Sequence, residues 1–475
     1  MLIQLDRTQK GRFLYQEIYR QIKQLILNNE LRANTKLPPK RELAQMLDVS
    51  TNSIANAYEQ LLAEGYIYTI ERVGYFIEEI EQFDINPNVT TAFPAHLREQ
   101  PEPPKTWLSL SHMNSNARLF PMRKWLSCEA KVYDRYIEEL GEMAHTQGPY
   151  VLRKNIAELI YATRGVKCEP EQIIVHATSQ GLLERLIRIL PENPSFAVEN
   201  PGYARYYQLL KRHHIQAHLV PLDDAGIDVH HLEQLDAQLV IATPSHQFPT
   251  GTIMPISRRV ELLNWASRQE DRYIIEDDYD SEFKYETNHV PSLQSMDYNH
   301  KVIYMGTFSK TLLPGIRVSY MVLPVKLLES YREMFPLEIQ AVNTLVLYTL
   351  NEFIESGQYE KHLRKMTKHF EEVRSCLVAE LTKQLGDQII ISDVPAGLHF
   401  LIEAKSARSY DEIEQQAAKH NVEVYTLKRF SLKRFSLNPY PLIRENRFII
   451  IGFAYIDMKD IPEAVRRLGC VLFDE

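Results

Sequence analysis

Hydrophobic positions in the first eighty residues follow helical spacing. Ile18, Ile22, Leu25 and Ile26 line one face of a helix predicted over 15–27. Pro38 and Pro39 suit the start of a second helix over 40–47, which would bury Leu43, Ala44 and Leu47. A third, over 51–64, would bury Ile54, Ala57, Leu61 and Leu62. The turn between them, Asp48, Val49 and Ser50, is short enough to make a helix-turn-helix. Gly65 closes the third helix, and two short runs at 66–70 and 75–77, joined through Gly74, predict a wing.

Residues 80–106 break the pattern. They are rich in Glu, Asp, Asn and Thr and carry Pro87, Pro94, Pro101, Pro103 and Pro104, which predicts an extended, semi-rigid linker between a domain over 1–79 and a larger one over 107–475. In the larger part, short apolar runs at 173–175, 196–198, 239–242, 273–275 and 302–305 alternate with helical stretches such as 181–189 and 258–267. That alternation predicts an α/β domain with a mostly parallel sheet. From about 330 long amphipathic helices take over, most clearly at 360–385. Strands near 388–391, 397–402, 422–425 and 447–451 then predict a smaller α/β subdomain.

Composition narrows the class. A chain of 475 residues with 44% hydrophobic content divides into about three units of ordinary size. No apolar run reaches the ~20 residues of a membrane span and the first residues lack a long apolar core, so a cytoplasmic location is expected. Cys128, Cys168, Cys376 and Cys470 are widely spaced, which excludes a zinc site or disulfide framework built on paired cysteines and predicts buried free thiols; no metal is expected. A net charge of −8 leaves room for a local basic face.

Candidate chemistry lies at the carboxyl ends of the predicted strands, where open α/β sheets bind ligands. The run at 302–305 leads through Thr307 and Ser309 to Lys310, with Arg317 one loop later. A lysine so placed suits a Schiff base with pyridoxal 5'-phosphate. Taken alone the motif is weak, since a surface lysine in a turn reads the same. Four more strand ends add to it. Ser179 and Gln180 open a helix whose free N–H groups favour a phosphate. Tyr203 offers a ring to stack and Arg205 a carboxylate partner, and a TPSHQFPTG loop follows 239–242. Asp277 and Tyr279, two apart, face one side. Together they form a cofactor inventory: Lys310 for the covalent bond, Asp277 for the ring nitrogen, Tyr279 for the ring oxygen, Tyr203 for stacking, and Ser179, Gln180, Thr307 and Arg317 for the phosphate.

The stretch LPPKRELAQMLDVSTNSIANAYEQLLAEGYIY, with Gly74 in the wing, resembles the winged helix-turn-helix of GntR regulators. The resemblance implies that the third helix enters the major groove of double-stranded DNA, and by position Lys40, Arg41, Thr51, Asn52, Ser53, Asn56 and Arg72 are the contacts. Pro39 stands where that family usually has serine, and Thr51 where many members have arginine. The larger part resembles the fold-type I aminotransferases. There Phe248 replaces the asparagine that usually precedes PTG, leaving Gln247 or His246 to supply its hydrogen bond. The same resemblance implies an arginine from the smaller subdomain for the ligand carboxylate. LKRFS occurs twice in succession, so Arg429 and Arg434 both qualify, with Arg444 and Arg447 as further candidates.

The two resemblances combined match the MocR/GabR subfamily, notably in SHQFPTGTIMPISRR, IIEDDYDSEF, YMGTFSK and LLPGIRVSYMVLP. This implies a homodimeric transcription regulator that activates γ-aminobutyrate-utilisation genes when γ-aminobutyrate displaces Lys310 from the cofactor to form an external aldimine. A catalytically active aminotransferase with an autoregulatory DNA-binding domain, and a sensor of the cofactor alone, remain open beside it.

Overall fold

In a computed structural model, residues 14–80, 93–99, 108–285, 291–392, 395–430 and 447–473 are described. The chain divides into two compact units, Met1–Pro103 and Pro104–Glu475.

The smaller unit consists of α1 (Leu14–Leu27), α2 (Lys40–Leu47), α3 (Thr51–Ala63) and an antiparallel hairpin of β1 (Ile67–Ile70) and β2 (Gly74–Ile77). Its core is Ile18, Ile22 and Ile26 of α1, Leu43 and Ala44 of α2, and Ile54, Ala57, Tyr58 and Leu61 of α3. Leu62, expected inside, is 38% exposed. Positions 54, 57, 58 and 61 form one unbroken three–four stripe, and Leu62 falls about 100° round from Leu61. Tyr58 is buried in its stead because its hydroxyl has a partner, donating to the Pro38 carbonyl at 2.9 Å. α2 starts at Pro39 without a side-chain cap, whereas Ser50 caps α3 by accepting from the Ser53 N–H. Asp48 takes a left-handed conformation (φ 50°) to end α2.

The larger unit opens with β3 (Leu108–Ser109). Eight strands follow: β4 (Ile173–His176), β5 (Ser195–Asn200), β6 (Gln216–Asp223), β7 (Gly226–Ile227), β8 (Leu239–Ala242), β9 (Tyr273–Asp278), β10 (Val302–Thr307) and β11 (Ser319–Val322). They form one sheet ordered β4-β11-β10-β9-β8-β5-β6-β7. The pairs from β10 to β6 are parallel, while β11 runs antiparallel to β10 and β4. Burial on both faces explains why the parallel strands read as continuous apolar runs. The sheet adds β6, β7 and β11 to the predicted strands: β6 mixes polar and apolar residues next to the edge, β7 has only two residues, and β11, four residues long like β4 and β8, follows the Arg317 turn without a break in the sequence pattern.

A second sheet is built from β12 (Ile389–Ser392), β13 (His399–Ala404), β15 (Tyr425–Thr426) and β16 (Arg447–Gly452) in the order β12-β13-β16-β15. The strand expected over 422–425 is divided. Its first part, β14 (Val422–Glu423), pairs with β3, which ties the start of this unit to the smaller subdomain. The 28-residue helix Gln358–Leu385 buries Met366, Phe370, Val373, Leu377 and Leu381 against this subdomain. Cys128 is buried as expected, but Cys168, Cys376 and Cys470 are only half-buried; no disulfide joins any of the four. Among the described residues, no helix is long and apolar enough to cross a membrane.

Candidate functional site

Six neighbouring strands, β4, β11, β10, β9, β8 and β5, end around one cavity of about 220 Å³. Ser179, Gln180, Tyr203, Arg205, Asp277, Tyr279, Thr307, Lys310 and Arg317 all line it. The order of strands sorts their chemistry. Hydroxyls and a helix start gather at β4, β11 and β10, the carboxyl is on β9, and Phe248 and Tyr203 follow β8 and β5.

At the first end, helix Ser179–Ile189 is capped by Thr178, whose hydroxyl accepts from the Gly181 N–H at 2.9 Å. Ser179 and Gln180 therefore sit in its first turn, where N–H groups lack helical partners. Gly181 is obligatory in this packing, since a Cβ there would lie 2.0 Å from the His176 ring. Thr307 faces Ser319 in register, and its Oγ1 accepts from the Ser319 hydroxyl at 3.0 Å and the Ser309 N–H at 3.1 Å. The Ser309 hydroxyl is buried, lines the cavity and has no hydrogen-bond partner among the described residues. Arg317 lies in a left-handed conformation (φ 53°) at the rim.

Lys310 follows β10 and donates to the His112 carbonyl at 2.8 Å. Burial lowers its pKa below the ordinary lysine value; the Arg205 charge adds to this and Asp280 opposes it. The amine thus sheds its proton more easily, which is what a nucleophilic lysine needs. Asp277 is pushed up to about 7 by burial, with Asp278, Asp280 and Glu199 adding to the shift and the hydrogen bond from Tyr206, at 2.9 Å, opposing it. The strand alternation that turns Asp277 to the cavity turns Asp278 away. There Asp278 accepts from Arg164 at 2.7 Å and Tyr304 at 2.6 Å, and the Arg164 charge holds it low against its burial.

His246 does not line the cavity. Its Nδ1 sits 3.1 Å from the Tyr279 hydroxyl and 3.0 Å from Asp280, so it stands behind Tyr279. Gln247 is likewise turned inward, donating to Glu199 at 3.0 Å and to the Phe248 carbonyl. Neither reaches the cavity in place of the missing asparagine; the cavity wall at that position is the Phe248 ring. Arg429 is also outside the wall, with its guanidinium 4.4 Å from the Tyr425 ring centre, though near enough for its charge to act on His112. Arg434 and Arg444 lie outside the described residues. Arg447 donates to the Arg408 carbonyl at 2.6 Å and belongs to the smaller sheet.

Tyr206 and His112 are among the residues at the site that the sequence reading missed. Tyr206 holds Asp277, and its spacing of three from Tyr203 in ENPGYARYY was the available signal. His112 lines the cavity, buried among Phe248, Tyr425 and Phe430 with both ring nitrogens unpartnered among the described residues. Burial lowers its pKa to about 3, with the charges of Lys310, Arg429 and Arg205 adding. Nothing local in SLSHMN marks it; the β3–β14 pairing carries it in.

In the smaller unit Thr51, Asn52 and Asn56 are exposed on α3, as are Arg41 on α2 and Arg72 at the wing tip. Ser53 is partly engaged with the Ser50 cap at 2.9 Å. Lys40 lies over the Tyr75 ring at 5.2 Å and near Glu59 at 3.9 Å.

The cavity therefore offers an acidified amine, a buried carboxyl, a phenol, and an unpartnered buried hydroxyl beside a helix start. These match the aldehyde, ring nitrogen, ring oxygen and phosphate of pyridoxal 5'-phosphate. Residues 103–468 match the aminotransferase class I and II family, and residues 14–77 the bacterial regulatory proteins of the gntR family. The chain is 36% identical over 458 residues to the HTH-type transcriptional regulator YdeL of Bacillus subtilis, covering 96% of each. It is 29% identical to the probable rhizopine catabolism regulatory protein MocR of Rhizobium meliloti, covering 96% of this chain and 93% of that protein. Its fold superposes on Pyrococcus horikoshii kynurenine aminotransferase with a TM-score of 0.68 at 22% identity, over 77% of this chain and 90% of the other. The chain belongs to the MocR/GabR subfamily of GntR-type transcription regulators, a winged helix-turn-helix DNA-binding domain fused to a fold-type I aminotransferase-like domain whose cofactor is pyridoxal 5'-phosphate.

Proposed function

We propose that the chain senses γ-aminobutyrate and, as a homodimer, activates the genes for its use. The observation that carries this reading is the sharing of one cavity by the Lys310 amine and the Arg205 guanidinium. An ω-amino acid presents an amine at one end and a carboxylate at the other, and this pair answers both. When bound, pyridoxal 5'-phosphate supplies an electrophilic carbon at which an incoming amine can replace Lys310. Asp277 holds the ring nitrogen, Tyr279 the ring oxygen and Tyr203 the ring face. Ser179, Gln180, Thr307 and Arg317, with Ser309 added, hold the phosphate. Arg205 fixes the ligand carboxylate, with Arg429 or Arg434 joining it. His246 acts through Tyr279.

Release of Lys310 is the event that differs between the two ligand states, and only such a difference can shift a conformational equilibrium. Lys40, Arg41, Thr51, Asn52, Ser53, Asn56 and Arg72 meet the DNA. Leu337 and Ile339, 92% and 64% exposed, are apolar surface that a second copy would cover. The acidified Lys310 also suits a proton carrier, which favours a second reading as a working aminotransferase.

Mixing the cofactor-loaded protein with γ-aminobutyrate, with and without a 2-keto acid such as 2-oxoglutarate, decides between them. The sensor changes cofactor absorbance without sustained glutamate formation, and Arg205→Ala weakens that response at least tenfold. Steady glutamate formation establishes the enzyme instead. No amine-dependent change leaves a sensor of the cofactor alone.

A further inference from the structure

Behind the cavity wall, Tyr279, His246 and Asp280 form a buried hydrogen-bonded chain. His246 Nδ1 lies 3.1 Å from the Tyr279 hydroxyl and 3.1 and 3.0 Å from the two oxygens of Asp280. The His246 and Asp280 side chains are 1% and 2% exposed. The Leu398 N–H donates to Asp280 Oδ2 at 3.2 Å, and Gly397 closes over the pair: a Cβ there would lie 2.1 Å from the His246 ring. His399 packs on the His246 ring at 4.7 Å between centres, with its own Nε2 directed at the Pro249 carbonyl, 3.3 Å away.

One atom, Nδ1, thus faces both a carboxylate and a phenol. A carboxylate only accepts, so Nδ1 must carry the proton. The opposite tautomer would set a lone pair against Asp280. A protonated Nδ1 shares its hydrogen between Asp280 and the Tyr279 oxygen, so the phenol accepts on that side and its own proton is free to turn to the cavity. With the tautomer reversed, Tyr279 would donate backward to Nδ1 and present only a lone pair forward. The direction of the phenol proton matters here because Phe248 offers no second donor.

We propose that Asp280 and His246 are positioning residues that fix the direction of the Tyr279 hydroxyl, so that it donates into the cavity to the ring oxygen of pyridoxal 5'-phosphate. This rests on the assignment of Tyr279 to that oxygen. Donation to the ring oxygen withdraws electron density that would otherwise stabilise a proton on the neighbouring nitrogen, so its loss raises the pH at which the cofactor absorbance titrates. Asparagine at the carboxylate position tends to turn such an imidazole to the wrong tautomer, as in the serine-protease triad.

The test uses cofactor-loaded full-length protein with two readouts. ¹⁵N-histidine NMR, with His246 identified by the signals lost in His246→Asn, reports the tautomer; absorbance reports the cofactor titration. The expected result is an Nδ1–H tautomer in the wild type and an Nε2–H tautomer in Asp280→Asn. The titration of Asp280→Asn should move upward by about one pH unit, as should that of Tyr279→Phe, the scale of one hydrogen bond. Asp280→Asn should add nothing in the Tyr279→Phe background. His246→Leu, which removes the donor and spares the carboxylate, must repeat the shift and stands in if Asp280→Asn does not fold. His246→Asn keeps a donor near the Nδ1 position and should retain most of the wild-type titration.

An Nε2–H tautomer in the wild type overturns the proposal. So does a cofactor titration that moves in Tyr279→Phe but in neither Asp280→Asn nor His246→Leu, which spares the Tyr279 assignment. A titration unmoved by Tyr279→Phe sinks that assignment and the proposal with it. His246, Asp280 and His399 also place three ligand atoms within 4.8 Å of one another. A stoichiometric divalent ion bound through His246 Nδ1 would therefore overturn the proposal as well, because that nitrogen cannot hold both a metal and a proton.

Discussion

Asp277, in its proposed place beside the cofactor ring, would connect cofactor binding to pH. Its carboxyl is raised to about 7 in the folded chain, against an ordinary aspartate value of 3.8. The folded state then binds more protons than the unfolded one between these values, so this group makes folding stability fall as pH rises through the window. Glu199, also raised to about 7 by burial, contributes with the same sign. A protonated ring nitrogen beside Asp277 would favour the carboxylate and reverse its contribution. Asp277→Asn should therefore flatten the decline in thermal midpoint of the cofactor-free protein between pH 5.5 and 8, and at the same time weaken pyridoxal 5'-phosphate binding at least tenfold. A mutant with an unchanged pH slope would remove Asp277 as its source. That Asp277 faces the cavity was legible from strand alternation. Its partner Tyr206 was hidden because the helix that presents it, Ala204–Arg212, begins only after the PG turn.

Among the elements, α3 depends on its cap. Ser50 accepts from the Ser53 N–H at 3.2 Å and satisfies a donor at the exposed end of the helix. Ser50→Ala should cost α3 about 1 kcal/mol, seen as an approximately fivefold faster amide exchange at Ser53, with exchange at Leu61 much less affected. Uniform acceleration through α3 would mean that the whole helix, and not its first turn, depends on the cap. The helices and central strands of both units were legible because each has one dominant periodicity: three–four stripes on α1–α3, and unbroken apolar runs on β8, β9 and β10. Strands β3, β6, β7 and β11 were not, although the edge strands β4 and β12 were, and neither was the part of the site that rests on contacts distant in sequence. His112 arrives through the β3–β14 pair, and Asp280 is backed by Leu398 from the smaller subdomain. These contacts join positions 314 and 118 residues apart in sequence and leave no local pattern. The two LKRFS copies were ambiguous for a different reason, since a repeated pentad gives identical chemistry in two registers.

For the whole molecule, the overall charge of −8 conceals a smaller unit with exposed Arg41 and Arg72. Binding to its DNA site should weaken steeply with salt, and each of Arg41→Ala and Arg72→Ala should reduce the log–log slope by about 0.9 if it removes one phosphate contact. A loss of affinity with an unchanged slope would show that the residue does not meet a phosphate. The two units also differ in how far along the chain their contacts reach. The smaller closes among residues 14–80, whereas the cavity of the larger needs His112, Lys310 and Leu398 together. During synthesis the DNA-binding unit is complete first, and about 320 more residues must follow before Leu398 is made. At about 5–20 residues per second that interval lasts roughly 16–64 s. For that time each new chain carries a finished DNA-binding unit together with a cavity that still lacks part of its wall.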